Sequence, residues 1–140
     1  MSCILRAWGA DFDIDDFMAK ASFEVDSFWR KGEKRFTKSE NSETNQSSGI
    51  RVVASEADFS ELTEQIQDVI SFLRKNLEQV KCLATFPGVE GVVLDFGAEI
   101  YPPGWASFTF PPELLLLAGE ARVSLCLSVY PTINDEQSTT

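Results

Sequence analysis

The sequence predicts an α+β fold: a single, mostly antiparallel sheet with one long and two short helices packed on one face, a two-layer sandwich. Three observations predict it. Residues 121–130 (ARVSLCLSVY) alternate apolar and polar side chains, as a half-buried strand does. Phe59, Leu62, Ile66, Val69, Ile70, Leu73, Leu77 and Val80 recur at steps of three and four, the period of a helix that buries one stripe. Segments of both kinds are interleaved along the chain, which favours one sheet with helices on a single side. A chain of 140 residues, 44% of them hydrophobic, suffices for one domain with its own core. The expected organisation is one domain over 1–131, with a mobile polar loop at 37–48 and a disordered tail over 132–140.

The elements follow in order. Residues 2–8 (SCILRAW) form a first strand, with Cys3, Leu5 and Ala7 on one face and Ile4, Arg6 and Trp8 on the other. Asp13 caps a short helix carrying Ile14, Phe17, Met18 and Ala21 on one side. Residues 23–36 are extended, with a turn at Lys31-Gly32, and 37–48 hold no hydrophobic side chain. Residues 49–55 (GIRVVAS) form a second clear strand. Ser55 and Asp58 announce the long helix, expected from 58 to 80. Phe86-Pro87-Gly88 turns into a strand over 90–100, and a short helix over 111–118 begins at prolines and ends at Gly119. The last strand, 121–130, points Val123, Leu125, Leu127 and Val129 at the core. Its Arg122, Ser124, Cys126, Ser128 and Tyr130 point away.

Composition removes several function classes. There is no histidine, so no Ser-His-Asp or Cys-His pair, no imidazole ligand and no imidazole base can be built. Cys3, Cys82 and Cys126 stand far apart, with no Cys-x-x-Cys; they are expected to be reduced, partly buried thiols. Net charge is −10, from 12 basic and 22 acidic side chains, which repels a phosphate backbone and suits a basic partner or plain solubility. The longest uninterrupted apolar run is 114–118, and residues 1–12 lack the pattern of a signal peptide, so a cytoplasmic protein is expected. No catalytic residue, no metal site and no cofactor is expected, and neither nucleic acid nor membrane as a partner.

Each candidate motif has a bland and a functional reading. Asp95-Phe96-Gly97 spells a kinase magnesium motif, but no glycine-rich loop or catalytic loop accompanies it, and a core strand is the better reading. Asp11, Asp13 and Asp15 begin like a calcium loop, yet the sixth position is Asp16 and the twelfth Ser22. A capping cluster fits better. Arg30, Lys31, Lys34, Arg35 and Lys38 make a basic window flanked by Trp29 and Phe36; its functional reading is a nucleic-acid or phosphate patch, and a solvated hairpin pairing with the chain's own acids is the better one. Tyr101, Trp105, Phe108 and Phe110 either cover a core end or form a recognition patch. The sheet face away from the helices is expected to carry Arg6, Trp8, Arg51, Asp95, Arg122, Ser124, Ser128 and Tyr130, a mixture of cations, hydroxyls and aromatics suited to an interface.

A strand ending in Gly9, then Asp11-Phe12-Asp13 with a short helix, Arg30-Lys31-Gly32-Glu33, a polar loop, and Ser48-Gly49 opening a strand occur together. This set resembles a bacterial family known as a domain of unknown function, the DUF4279 group. Ile50 stands where members often place a tryptophan. Small members also resemble immunity proteins that neutralise secreted toxins. The resemblance implies an interaction or regulatory protein and brings no catalytic residues.

Three readings stay open. The first is a non-enzymatic protein-binding module, immunity-like, engaging a basic partner. Its partner-binding residues would be Arg6, Trp8, Arg51, Asp95, Arg122 and Tyr130 on the sheet, with Glu61 and Glu64 on the acidic helix. The second is a small-molecule binder or enzyme with a pocket lined by Trp8, Trp105, Tyr130 and Arg6. The third is a homodimer joined through the sheet.

Overall fold

The structure, a computed structural model, describes residues 3–34, 43–104 and 106–132. It contains β1 (Cys3–Gly9), α1 (Ile14–Lys20), β2 (Ser27–Trp29), β3 (Ser48–Ser55), α2 (Leu62–Ala84), β4 (Gly91–Ile100), α3 (Pro112–Glu120) and β5 (Ser124–Pro131). The five strands make one sheet in the order β2-β3-β1-β4-β5. Three pairings are antiparallel and the last, β4 with β5, is parallel, so the fold is the expected α+β class. A parallel pair needs a crossover, and α3 supplies it. No helix among the described residues is long and apolar enough to cross a membrane.

Register decides which side chains share a face. Leu5 lies opposite Val52 and Leu94, and Ala7 opposite Ile50 and Val92. These six form one core with Phe96 and with Ile66, Val69, Ile70, Leu73, Val80 and Leu83 of α2. Around one end of that core Phe12, Phe17, Phe23, Phe72 and Phe86 meet ring to ring at 5.4–6.2 Å. Asp13 caps α1 by accepting from the Asp16 amide at 3.0 Å, satisfying one of the helix's free N–H groups. Arg74 pairs with Glu113 and Lys81 with Glu120 (3.3 Å), fastening α3 to α2.

Gln65 is the most instructive core residue. It is fully buried, and its amide nitrogen donates to the carbonyls of Asp58 and Gly97, each at 2.8 Å. Its amide oxygen accepts from the Gly97 N–H at 3.1 Å. The described part of β1 pairs with β4 only as far as Cys3 opposite Phe96. The next residue of β4 therefore gives both backbone groups to a side chain of α2 instead of a strand.

Several expectations need correction. The long helix begins at Leu62, not near 58, and extends to Ala84. Ser55 ends β3; its hydroxyl donates to Asp68 (2.7 Å) and accepts from the Ala57 amide (3.1 Å), so it does not start a helix. Phe59 consequently leaves the helical stripe and stacks on Tyr130 at 4.7 Å. The helix bends at Asn76 (φ −117°, ψ 19°), whose side-chain amide donates to the Phe72 carbonyl four residues back. Helix α3 passes through Gly119, and the left-handed turn after it falls on Arg122 (φ 62°). Val129 sits at an inward position of β5 yet is 41% exposed. Cys3 is buried and Cys126 half-buried, but Cys82 is exposed. Of the polar stretch expected as a mobile loop, 37–42 lies outside the described residues; Thr44 bridges Lys34, and Ser48 opens β3. The tail beyond 132 lies outside them as well.

Replacing Gln65 with leucine keeps volume but strands the Gly97 N–H and C=O. Urea melts should show a loss of about 1–3 kcal/mol, the usual cost of unpaired buried polar groups; Gln67→Ala, at an exposed position on the same helix, should stay within about 0.5 kcal/mol. Leu94→Ala should cost about 2–5 kcal/mol because Leu94 is fully buried. The same melts should show a smaller loss for Leu125→Ala, which is only half-buried.

Candidate functional site

All three helices contribute to the core on one side of the sheet, and the opposite side carries Ile4, Arg6 and Trp8 of β1 with their cross-strand neighbours. At the end where β1 finishes, one row crosses four strands: Trp29 lies opposite Gly49, Gly49 opposite Trp8, and Trp8 opposite Gly91. Tryptophan and glycine alternate because the rings need the room. A methyl group added at Gly49 would collide with the Trp29 ring, and one added at Gly91 with the Trp8 ring. Each indole thus rests against the bare backbone of the next strand, a close approach that glycine permits.

The adjoining row places Arg6 directly opposite Arg51. Like charges in that position repel. Arg6 is steadied by Asp95: Nη2 donates to Oδ2 at 3.2 Å, and the other carboxylate oxygen accepts from the Ser128 hydroxyl at 2.6 Å. Its Nε is buried without a hydrogen-bond partner among the described residues. Arg51 has no carboxylate partner among the described residues; its guanidinium lies over the Trp29 ring, 4.4 Å from the centroid. Partial burial, and then the Arg6 charge, push the Arg51 guanidinium below its ordinary pKa.

A wall rises beside these rows. Gly32 (φ 87°) turns the chain after β2, and its N–H reaches the Asn45 carbonyl at 2.9 Å. Asn45 answers with its own N–H to Glu33 (2.8 Å) and its side-chain amide to Arg30 (3.0 Å). The Ser48 hydroxyl accepts from the Lys31 amide at 2.9 Å. Arg30 in turn pairs with Asp15 of α1 at 2.8 Å, anchoring the wall. Together the wall and the sheet enclose an open cleft of about 680 Å³, lined by Arg6, Trp8, Trp29, Arg51, Lys34 and Glu33 among others. Chemically the cleft offers three cations, flat rings and hydrogen-bonding groups.

Of the eight candidate partner-binding residues, the structure brings together Arg6, Trp8, Arg51 and Asp95. Tyr130 is elsewhere: it pairs with Glu99, eight positions along β4 from the Gly91 that faces Trp8, or about 26 Å at ~3.3 Å per residue. A pocket shared by Trp8 and Tyr130 is therefore ruled out by strand direction. Arg122 sits in the turn between α3 and β5 instead of on the strand. Glu61 and Glu64 flank the start of α2, in the helical layer. The Glu61 carboxyl is held above its ordinary pKa, chiefly by its hydrogen bond with the Glu64 side chain. Trp105, Arg35, Phe36 and Lys38 lie outside the described residues. Tyr101 is exposed and donates to Glu99 (2.8 Å), while Phe110 packs on Phe96 at 5.3 Å.

By sequence, Trp29 and Lys34 belong with the solvated hairpin, but the structure places both in the cleft lining. The two glycines are missed from sequence. The signal was present: glycine inside an otherwise β-rich run marks a close approach, and both Gly49 and Gly91 begin such runs. Gly91→Ala should cost about 1–3 kcal/mol in denaturant melts, the range for overpacking, and should alter the near-ultraviolet tryptophan signal. Gly119→Ala is the contrast. Outside its own helical turn, no described residue lies within 4 Å of its added methyl, so it should stabilise by roughly 0.5–1 kcal/mol.

No curated protein and no solved structure matches the chain. A family model matches residues 1–132, nearly the full length, and the chain belongs to that family, Domain of unknown function (DUF4279).

Proposed function

We propose that this protein is a non-enzymatic binding module and that its ligand is a small molecule held in the cleft of the open sheet face. One observation carries the reading: two tryptophans seated on glycines stand beside two facing arginines, in an open cleft of about 680 Å³. Small-molecule sites typically span about 300–1,000 Å³ and combine aromatic walls with a few polar groups. The lining groups are suited to holding and orienting. Arginines keep their charge at any physiological pH, Asp95 is engaged by Arg6 and Ser128, and Glu33 leans toward Arg30 at 3.8 Å.

A second reading, an immunity-like module engaging a basic protein, is favoured by a different place. Glu61 and Glu64 bring two carboxyls together at the start of α2, where a partner's lysine or arginine would be favoured. That surface belongs to the helical layer, and the two readings separate by mutation.

The test is a thermal-shift survey with a panel of neutral, cationic and anionic compounds, with and without rings. At a hundredfold excess over Kd a ligand stabilises by about 2.7 kcal/mol, well within detection. At least one class should raise the midpoint of the wild-type protein, fail on Arg51→Ala, and still act on a Glu61→Lys, Glu64→Lys double variant. A panel that shifts nothing, or shifts Arg51→Ala equally, overturns the reading.

A further inference from the structure

We propose that the ligand is an oxyanion carried on a flat ring, its phosphate or carboxylate spanning Arg6 and Arg51 and its ring lying on the indole of Trp8. This deepens the small-molecule reading of the cleft and rests on it.

The anion follows from charge that the fold leaves uncompensated. Arg6 and Arg51 are direct cross-strand neighbours, and among the described residues only Arg6 of the two has a carboxylate partner, engaged through one nitrogen. Arg51 offers its flat face to Trp29, which leaves the N–H edge of its fork for a ligand. Two guanidiniums side by side present the parallel donors that match a phosphate or carboxylate. Lys34 adds a third cation to the lining, against Glu33 as the one acid among the described lining residues. An anion between the arginines would offset a repulsion that the free protein sustains.

The size of the anion follows from the rest of the chain. With net −10, the molecule repels a large acidic partner over its whole surface. Screening confines each charge to about 8 Å at physiological salt, so a compact anion inside the cleft meets mainly the local cations.

The ring follows from the unequal state of the two indoles. Both rest on glycine backbone on one side. The Trp29 ring is covered by Arg51, whereas Trp8 has no aromatic or cationic stacking partner among the described residues. Trp8 is only half-buried and lines the same cleft as the arginine pair. A flat ring is the shape that such a surface accepts, and stacking on it would direct the attached oxyanion toward the neighbouring row.

Calorimetric titration tests this with four probes: adenosine monophosphate and phenyl phosphate, which have both parts, and adenosine and inorganic phosphate, which have one each. Benzoate as a fifth probe separates carboxylate from phosphate as the bound group. The two-part phosphates should bind at least about tenfold more tightly than either single-part probe, as expected where charge-assisted pairs and stacking act together. Arg51→Ala should lose that advantage, and Arg51→Lys should not recover it fully because the fork is lost. Trp8→Phe should keep binding and Trp8→Leu lose it, with circular dichroism confirming that both fold. Adenosine binding as tightly as its monophosphate, a ring-bearing amine binding better, or an unaffected Arg51→Ala overturns the proposal. If the thermal-shift survey finds only cationic or ringless ligands that depend on Arg51, the small-molecule reading stands and this one falls. A survey without any ligand removes both.

Discussion

One buried amide fixes the long helix against the sheet. Gln65 satisfies all three of its bonds inside the core, two of them to the backbone of Gly97. Without it, β4 would carry an unpaired N–H and C=O in a region that water does not reach, a cost of the same order as a tenth or more of a domain's whole stability. The bond pair also specifies rotation. A helix packed only by leucine and isoleucine can slip along its stripe at small expense, but an amide that must meet one particular residue cannot. Placing α2 there gathers the apolar faces of β1, β3 and β4 beneath it, and α3 then has a partner in Arg74 and Lys81.

With the three described helices on one side, the other side of the sheet carries polar and aromatic side chains beside the aliphatic Ile4, Val53 and Val93. Its composition runs against the molecule's overall charge. The chain is strongly acidic, yet the cleft lining holds Arg6, Arg51 and Lys34. Glu61 and Glu64 stand together at the start of α2, while the helix itself balances Glu64, Asp68 and Glu78 against Arg74, Lys75 and Lys81. A single statement about net charge therefore does not describe the cleft.

Local period and alternation were legible in the sequence. The stripe of α2, the inward faces of β1 and β4, and the Asp13 cap all follow from spacing and from backbone groups near in sequence. The start of α2 was not, because Ser55 spends its hydroxyl on Asp68, thirteen residues away, a long-range bond that spacing cannot encode. The same limit governs the site. Arg6, Trp8, Arg51 and Asp95 share a face by strand parity, so parity alone located them; Tyr130 obeys the same parity but lies at the far end of the sheet, because β5 runs parallel to β4. Distance along a strand depends on strand direction, and direction is a property of the assembled sheet. The place of Trp29 on this face was hidden for another reason. Its strand has three residues, too few for alternation to register.

The tryptophan–glycine row has an evolutionary corollary. Each ring and the glycine beneath it fill one volume between them, so neither position can drift freely while the other stays fixed. Within the family, positions 8 and 91 should behave as one unit of change, and 29 and 49 as another. A relative that carries a side chain at the glycine position has to carry something smaller than an indole across from it. Such a relative would keep the sheet and lose the flat floor of the cleft, which makes these two pairs a marker, readable in sequence alone, for which branches of the family retain this surface.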